Sequence, residues 1–127
     1  MSMPTSAKAN KADQAVIADY EIHVTLIDKQ VVPQIPSSLN CGETVHYKSD
    51  DGTGRNAGEV KIKFLDNGSP YLNLDGSPKI EVSSNEPPLE LSKRGIFTGR
   101  CYIRTPEGEE YGWGPNYPAA GGNHDVR

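Results

Sequence analysis

From Tyr20 to the C-terminus the chain alternates apolar and polar residues with a period of two, and that period constrains the fold more than any other feature. In Tyr20-Glu21-Ile22-His23-Val24-Thr25-Leu26, the residues Tyr20, Ile22, Val24 and Leu26 share one face, and Glu21, His23 and Thr25 share the other. Such a strand buries one side and wets the other. The same alternation recurs over residues 44–48, 59–64, 79–82 and 96–103, with shorter candidates at 89–91 and 111–113 and a last strand over 123–126. No stretch after residue 20 sustains a helical period. Turn chemistry separates these runs: Asn40-Cys41-Gly42, Asp51-Gly52-Thr53-Gly54, Asp66-Asn67-Gly68, Asp75-Gly76, Pro106-Glu107-Gly108 and Gly114-Pro115. Short strands with Gly and Pro between them predict an all-β, antiparallel sandwich or barrel.

The chain has 127 residues, enough for one domain that buries about two-thirds of the surface its unfolded chain exposes. A hydrophobic fraction of 35% is low, and 13 Gly and 10 Pro account for it as a wealth of loops. We assign residues 18–127 to a single β-sandwich domain and residues 1–17 to a flexible N-terminal tail. An echo of Leu65-Asp66-Asn67-Gly68-Ser69-Pro70 in Leu74-Asp75-Gly76-Ser77-Pro78 is too closely spaced for a repeat architecture and reads as two successive turns.

Net charge is −4, with Lys and Arg scattered singly, so no basic stripe argues for nucleic acid. No apolar run approaches the ~20 residues that span a bilayer, so no membrane partner is expected. The N-terminal lysines are not followed by an apolar core of signal-peptide length. That points to a cytoplasmic chain if this terminus is native, and to a secreted one if a signal has been removed.

The order of Pro36-Ser37-Ser38-Leu39-Asn40-Cys41-Gly42-Glu43-Thr44-Val45-His46-Tyr47, then Gly58-Glu59-Val60-Lys61-Ile62-Lys63-Phe64, then Gly95-Ile96-Phe97-Thr98-Gly99-Arg100-Cys101 resembles a cupredoxin domain over roughly residues 20–126. Immunoglobulin-like sandwiches share much of this patterning. The resemblance implies a Greek-key β-sandwich. It also implies where a type 1 copper site would lie, with two imidazoles, a thiolate and a weak axial Met. Ala57-Gly58 stands where the family has its first His, Cys101 is the candidate thiolate, and Tyr102-Ile103-Arg104-Thr105-Pro106-Glu107 follows it without His or Met. Met1 and Met3, the two methionines, lie in the tail. Type 1 copper is therefore not expected, and no cofactor is assigned.

Two cysteines permit one disulfide. The resemblance places Cys41 and Cys101 toward opposite ends of the sandwich, beyond the ~6 Å between α-carbons that a disulfide spans. Cys101 shares a face with Phe97 and Ile103 and reads as a small buried hydrophobe. His23 and His46 occupy polar positions of alternating strands and read as surface imidazoles. Their spacing gives no reason to expect them together with His124. Asp50-Asp51-Gly52-Thr53-Gly54-Arg55-Asn56 lacks the ligand alternation of a calcium loop and reads as a polar hairpin loop. Glu109 and Glu110 are adjacent on a strand and so point to opposite faces, poorly placed as an acid and base pair. No Gly-x-Ser-x-Gly elbow or phosphate loop occurs.

The remaining feature is Tyr111-Gly112-Trp113-Gly114-Pro115-Asn116-Tyr117, which holds the one Trp and two of six Tyr. Tyr111, Trp113 and Tyr117 offer flat amphipathic faces to a ligand, or else they close the end of the sandwich with Gly112 and Gly114 letting the backbone turn tightly. These readings predict a non-catalytic, cupredoxin-like binding or interaction module. Its partner is an unknown small ligand, another protein, or a second copy through an exposed sheet. Two alternatives stay open. One is a metal-binding protein with a rearranged site of His46, Cys101 and His124. The other is a carbohydrate-binding module that uses Trp113 with Tyr111 and Tyr117.

Overall fold

The computed structural model describes residues 17–65, 68–117 and 120–127. Nine strands form: β1 Tyr20–Ile27, β2 Gln30–Pro33, β3 Thr44–Asp50, β4 Glu59–Phe64, β5 Glu81–Ser83, β6 Leu89–Glu90, β7 Gly95–Arg104, β8 Glu110–Gly112 and β9 Gly121–Val126. One sheet runs β2-β1-β3-β6 and the other β5-β4-β7-β8, with β9 also paired to β7. The register shows how β7 serves two neighbours. Residues Gly95 to Arg100 pair with β9, Tyr102 to Arg104 pair with β8, and β4 takes the opposite edge. The all-β sandwich read from the alternation is the observed architecture.

Alternation fills the core as the pattern requires. Ile22 and Val24 of β1, Val45 and Tyr47 of β3, Val60, Ile62 and Phe64 of β4, and Phe97, Cys101 and Ile103 of β7 are all buried, while the residues between them face outward. Leu39, Tyr71 and Leu91 close the core from loops. At about 25 cal/mol for each Å² of apolar surface removed from water, these side chains supply the main drive to fold.

The pairing is not antiparallel throughout: β1 and β3 run parallel, with Glu21 beside His46. Parallel neighbours need a crossover rather than a tight turn. The crossover here also joins the two sheets. Leu39 bridges Val126, and Leu39, Cys41 and Arg127 exchange backbone bonds of 2.8 Å with Asp125, Arg127 and Leu39 respectively. The strand expected at 79–82 is shifted to Glu81–Ser83, with Val82 buried and Ile80 exposed. The 50–56 segment is not a hairpin loop, because it carries the chain from β3 in one sheet to β4 in the other. Its Asp51 is bound by its own loop, accepting from the Thr53 amide at 2.8 Å and the Thr53 hydroxyl at 2.6 Å, and these bonds hold the carboxyl below its usual range. The second of the two echoed turns is present, with Asp75 accepting from the Ser77 amide and hydroxyl. Asp66 and Asn67 of the first lie outside the described residues, as does the proposed tail up to residue 16.

β2 was not legible in the sequence. It returns from β1 through Asp28 and Lys29, both with positive φ, 51° and 65°. A two-residue hairpin of this hand is normally announced by Asn-Gly. Side chains held in the left-handed region carry strain. Replacing Asp28-Lys29 with Asn-Gly is expected to stabilise the fold by about 1 kcal/mol. The check is an upward shift of the urea midpoint; an unchanged or lowered midpoint would show that the two native side chains offset the strain.

Candidate functional site

Tyr111, Trp113 and Tyr117 come together. With Tyr102, Lys29 and Glu110 they line a pocket of about 300 Å³ where β8 meets the β1–β2 turn. The Trp113 amide donates to the Cys101 carbonyl at 3.1 Å, which extends the β7–β8 ladder by one residue and fixes where the indole leaves the sheet. The Tyr117 amide donates to the Gly114 carbonyl at 2.9 Å, and this tight turn brings the second tyrosine back to the same pocket.

Burial divides the three rings. Trp113 and Tyr111 are half-buried and pack against the core, whereas Tyr117 is 45% exposed. The Arg100 guanidinium lies 3.5 Å from the Trp113 ring centroid and holds the indole by cation–π attraction. The Tyr111 hydroxyl donates to Glu109 at 3.1 Å, which raises its pKa. Glu110, the first residue of β8, lines the pocket, and Glu109, just before the strand, does not.

Tyr102 and Lys29 of the pocket were missed from sequence, and Glu110 was weighed there only as half of an acid and base pair. Tyr102 sits opposite Gly112 on β8, and a methyl group at 112 would fall 2.5 Å from Tyr102 Cδ1 and 2.5 Å from the Cys101 carbonyl oxygen. Glycine at 112 therefore lets the tyrosine ring lie across the neighbouring strand. Gly114 has no comparable contact, its nearest being Tyr117 at 4.0 Å, so of the two glycines only Gly112 is required for close packing. Outward alternation in β7 was the available signal for Tyr102. Lys29 had no signal, because the turn that carries it was not recognised.

A larger groove of about 540 Å³ lies elsewhere, with His46, Asn56, Glu59, Asn85 and Arg104 among its walls. Much of its polar lining is already paired within the protein. His46 Nε2 bonds the Ser84 carbonyl at 3.1 Å, Glu59 accepts from the Ser83 hydroxyl at 2.6 Å, and Asn56 accepts from the Gly58 amide at 2.9 Å. Size alone does not make it the better ligand site.

The histidines separate into two settings. The parallel register of β1 and β3 places His23 and His46 on the outer face around Glu21, whose carboxylate is 3.8 Å from one ring and 3.7 Å from the other, with Asp50 at 3.7 Å from His23. Sequence spacing gave no hint of this grouping. His124 points the other way and is fully buried. Its Nε2 meets the Tyr47 hydroxyl at 3.0 Å, and that hydroxyl meets Tyr71 at 2.7 Å. Burial lowers the His124 pKa from 6.5 to about 4. His46, Cys101 and His124 thus do not converge as a rearranged metal site, since His46 is on the outer face and the other two are inside. Among the described residues, no three His, Cys, Asp or Glu side chains are arranged to hold a metal ion.

Cys41 and Cys101 are both free thiols. Burial pushes the Cys101 thiol up to about 12, so it carries almost no thiolate at neutral pH. A thiol reagent is expected to find one slow equivalent, Cys41, in the native protein and two in denaturant without reductant. Two fast native equivalents would contradict the burial of Cys101.

No family model, curated protein or solved structure matches this chain.

Proposed function

We propose that the chain is a non-catalytic, cupredoxin-like binding module whose ligand is a carbohydrate ring held in the aromatic pocket. The observation that carries this reading is the convergence of Tyr102 of β7, Tyr111 of β8, and Trp113 and Tyr117 from the segment after β8 onto one concavity, with Lys29 and Glu110 at its wall. Flat aromatic faces cover the apolar face of a sugar, and flanking charged groups bond its hydroxyls. The cupredoxin-like part of the reading is supported by Gly58-Glu59 opening β4 directly beside β7, which carries Cys101 opposite Ile62. Ala57, where the family has an imidazole, supports a sandwich that does not use type 1 copper. The non-catalytic part is supported by Glu110 being the one carboxylate among the described residues that line the aromatic pocket, where cleavage of a glycosidic bond uses two flanking the same bond.

The test is direct. Trp113 is the one indole of the chain, so ligand in the pocket is expected to quench or blue-shift its fluorescence. Tyr117→Ala, at an exposed position, is expected to weaken binding about tenfold, the equivalent of 1.4 kcal/mol, with the melting temperature held. A flat fluorescence response across a broad glycan panel would refute the reading.

A further inference from the structure

We propose that the aromatic pocket is one half of a two-subsite groove for an acidic oligosaccharide, running across the outer face of the second sheet. This rests on the carbohydrate reading above and adds a charge and a minimum length to it.

The geometry begins at Tyr102 and Glu110. Both line the aromatic pocket of about 300 Å³, and both also line a second hollow of about 130 Å³ whose other walls are Lys61, Lys63 and Glu81. The two hollows are therefore neighbours that share a wall. Strand register sets their order: Lys61 on β4 is opposite Tyr102 on β7, which is opposite Gly112 on β8. Paired residues in an antiparallel ladder point to the same face, so this is one row across three strands. Two strand spacings amount to about 10 Å, the scale of a disaccharide rather than of one ring.

Charge differs between the two halves. The Lys63 ammonium is 5.7 Å from the Tyr102 centroid and 3.8 Å from Glu81, so it is partly compensated. Lys61 forms no ion pair among the described residues, and Arg100 is taken up by Trp113. In a chain of net charge −4, a lysine that makes no ion pair among the described residues and lies beside an aromatic platform marks a place for an anionic group. A uronate carboxylate and a sulfate ester present the same chemistry there. Glu81 and Glu110, in the same groove, accept bonds from sugar hydroxyls. A polynucleotide offers few hydroxyl donors to these two carboxylates, whereas every sugar ring offers several.

The full chain is titrated with oligogalacturonates from the monosaccharide to the tetrasaccharide, with sulfated and neutral dextran oligosaccharides, and with oligothymidylate. Trp113 fluorescence and calorimetry report binding. Acidic chains of two or more units are expected to bind at least about tenfold tighter than the acidic monosaccharide and the neutral chains, less tightly as salt rises. Lys61→Gln is expected to erase the acidic preference, weakening the acidic chains about tenfold with the melting temperature held. Tyr102→Leu, which keeps packing over Gly112 but removes the π-face, is expected to weaken all glycans. Tighter binding of either the uronate or the sulfated series supports the proposal and names the anion. Equal binding of neutral and acidic chains, with Lys61→Gln silent, overturns the proposal and leaves the carbohydrate reading standing. No response to any glycan overturns both, and oligothymidylate binding above the glycans overturns both in favour of nucleic acid.

Discussion

Gly58→Ala is expected to destabilise the protein by at least about 4 kcal/mol, a large part of the 5–15 kcal/mol that holds a typical domain folded. Gly58 has φ of +133°, and a β-carbon there would fall 2.1 Å from the Arg104 carbonyl oxygen, 2.8 Å from its carbonyl carbon and 2.9 Å from Thr105 Cα. All three are backbone atoms at the end of β7, where Glu59 is registered against Arg104, so no side chain can swing aside. Nor can the Gly58 backbone rotate away. The buried Ser49 hydroxyl donates to the Gly58 carbonyl at 2.6 Å and accepts from the Gly58 and Ala57 amides at 2.9 and 3.0 Å. Because Ser49 lies next to the last residue of β3 in one sheet and Gly58 precedes β4 in the other, this clip joins the two layers at one point. Gly54→Ala is the matched control. It has φ of +93° but nothing within 4 Å of the new methyl, so only the backbone cost of about 1 kcal/mol applies. Urea unfolding of the two variants should separate them by at least about 3 kcal/mol, and equal midpoints would show that the β4–β7 junction yields to the added methyl.

What the sequence disclosed follows from which forces are local. Strands such as Glu59–Phe64 alternate cleanly because one face meets the core and the other meets water; the bounds of this one were legible to the residue, while β1, β3 and β7 run one or two residues beyond their alternating runs. β2 was hidden because its turn holds Asp28 and Lys29, both exposed, at positive φ without the Asn-Gly pair that announces such a turn. The parallel pairing of β1 and β3 was hidden as well, since nothing in two alternating segments states which strands become neighbours. That pairing is what groups His23, Glu21 and His46, so the grouping was unreadable for the same reason. The candidate site shows the same division. Tyr111, Trp113 and Tyr117 were found because they are close in sequence and chemically conspicuous. Tyr102, Lys29 and Lys61 reach the groove only through register and a turn.

His124 is where local pattern and chemistry disagree most, and it gives the second large effect. The segment Asn123-His124-Asp125-Val126 reads as polar, yet His124 alternates inward with Val126 and is fully buried among Phe64, Tyr47 and Tyr71. The carbonyls of Gly122 and Phe97 favour a proton on the ring but do not offset burial, and the pKa lies near 4 instead of 6.5. The neighbouring phenols do not titrate in this range, since burial raises the pKa of both Tyr47 and Tyr71. The Tyr47 hydroxyl bonds both Tyr71 and Nε2, while Nδ1 has no hydrogen-bond partner of good geometry. A base depressed in the folded state binds its proton first in the unfolded chain, so stability is complete above pH 6.5 and is lost as pH falls toward 4. A tenfold change in proton affinity is worth about 1.4 kcal/mol, so the loss attributable to this one ring is about 3 kcal/mol. His124→Leu removes the titration and keeps an apolar side chain in the site, so the stability difference between wild type and variant should fall with pH across that window and level off below it. A difference that stays constant from neutral pH down to 4 would show that the ring is protonated at no cost inside the folded protein, and that the Tyr47 and Tyr71 cluster admits more water than its burial implies.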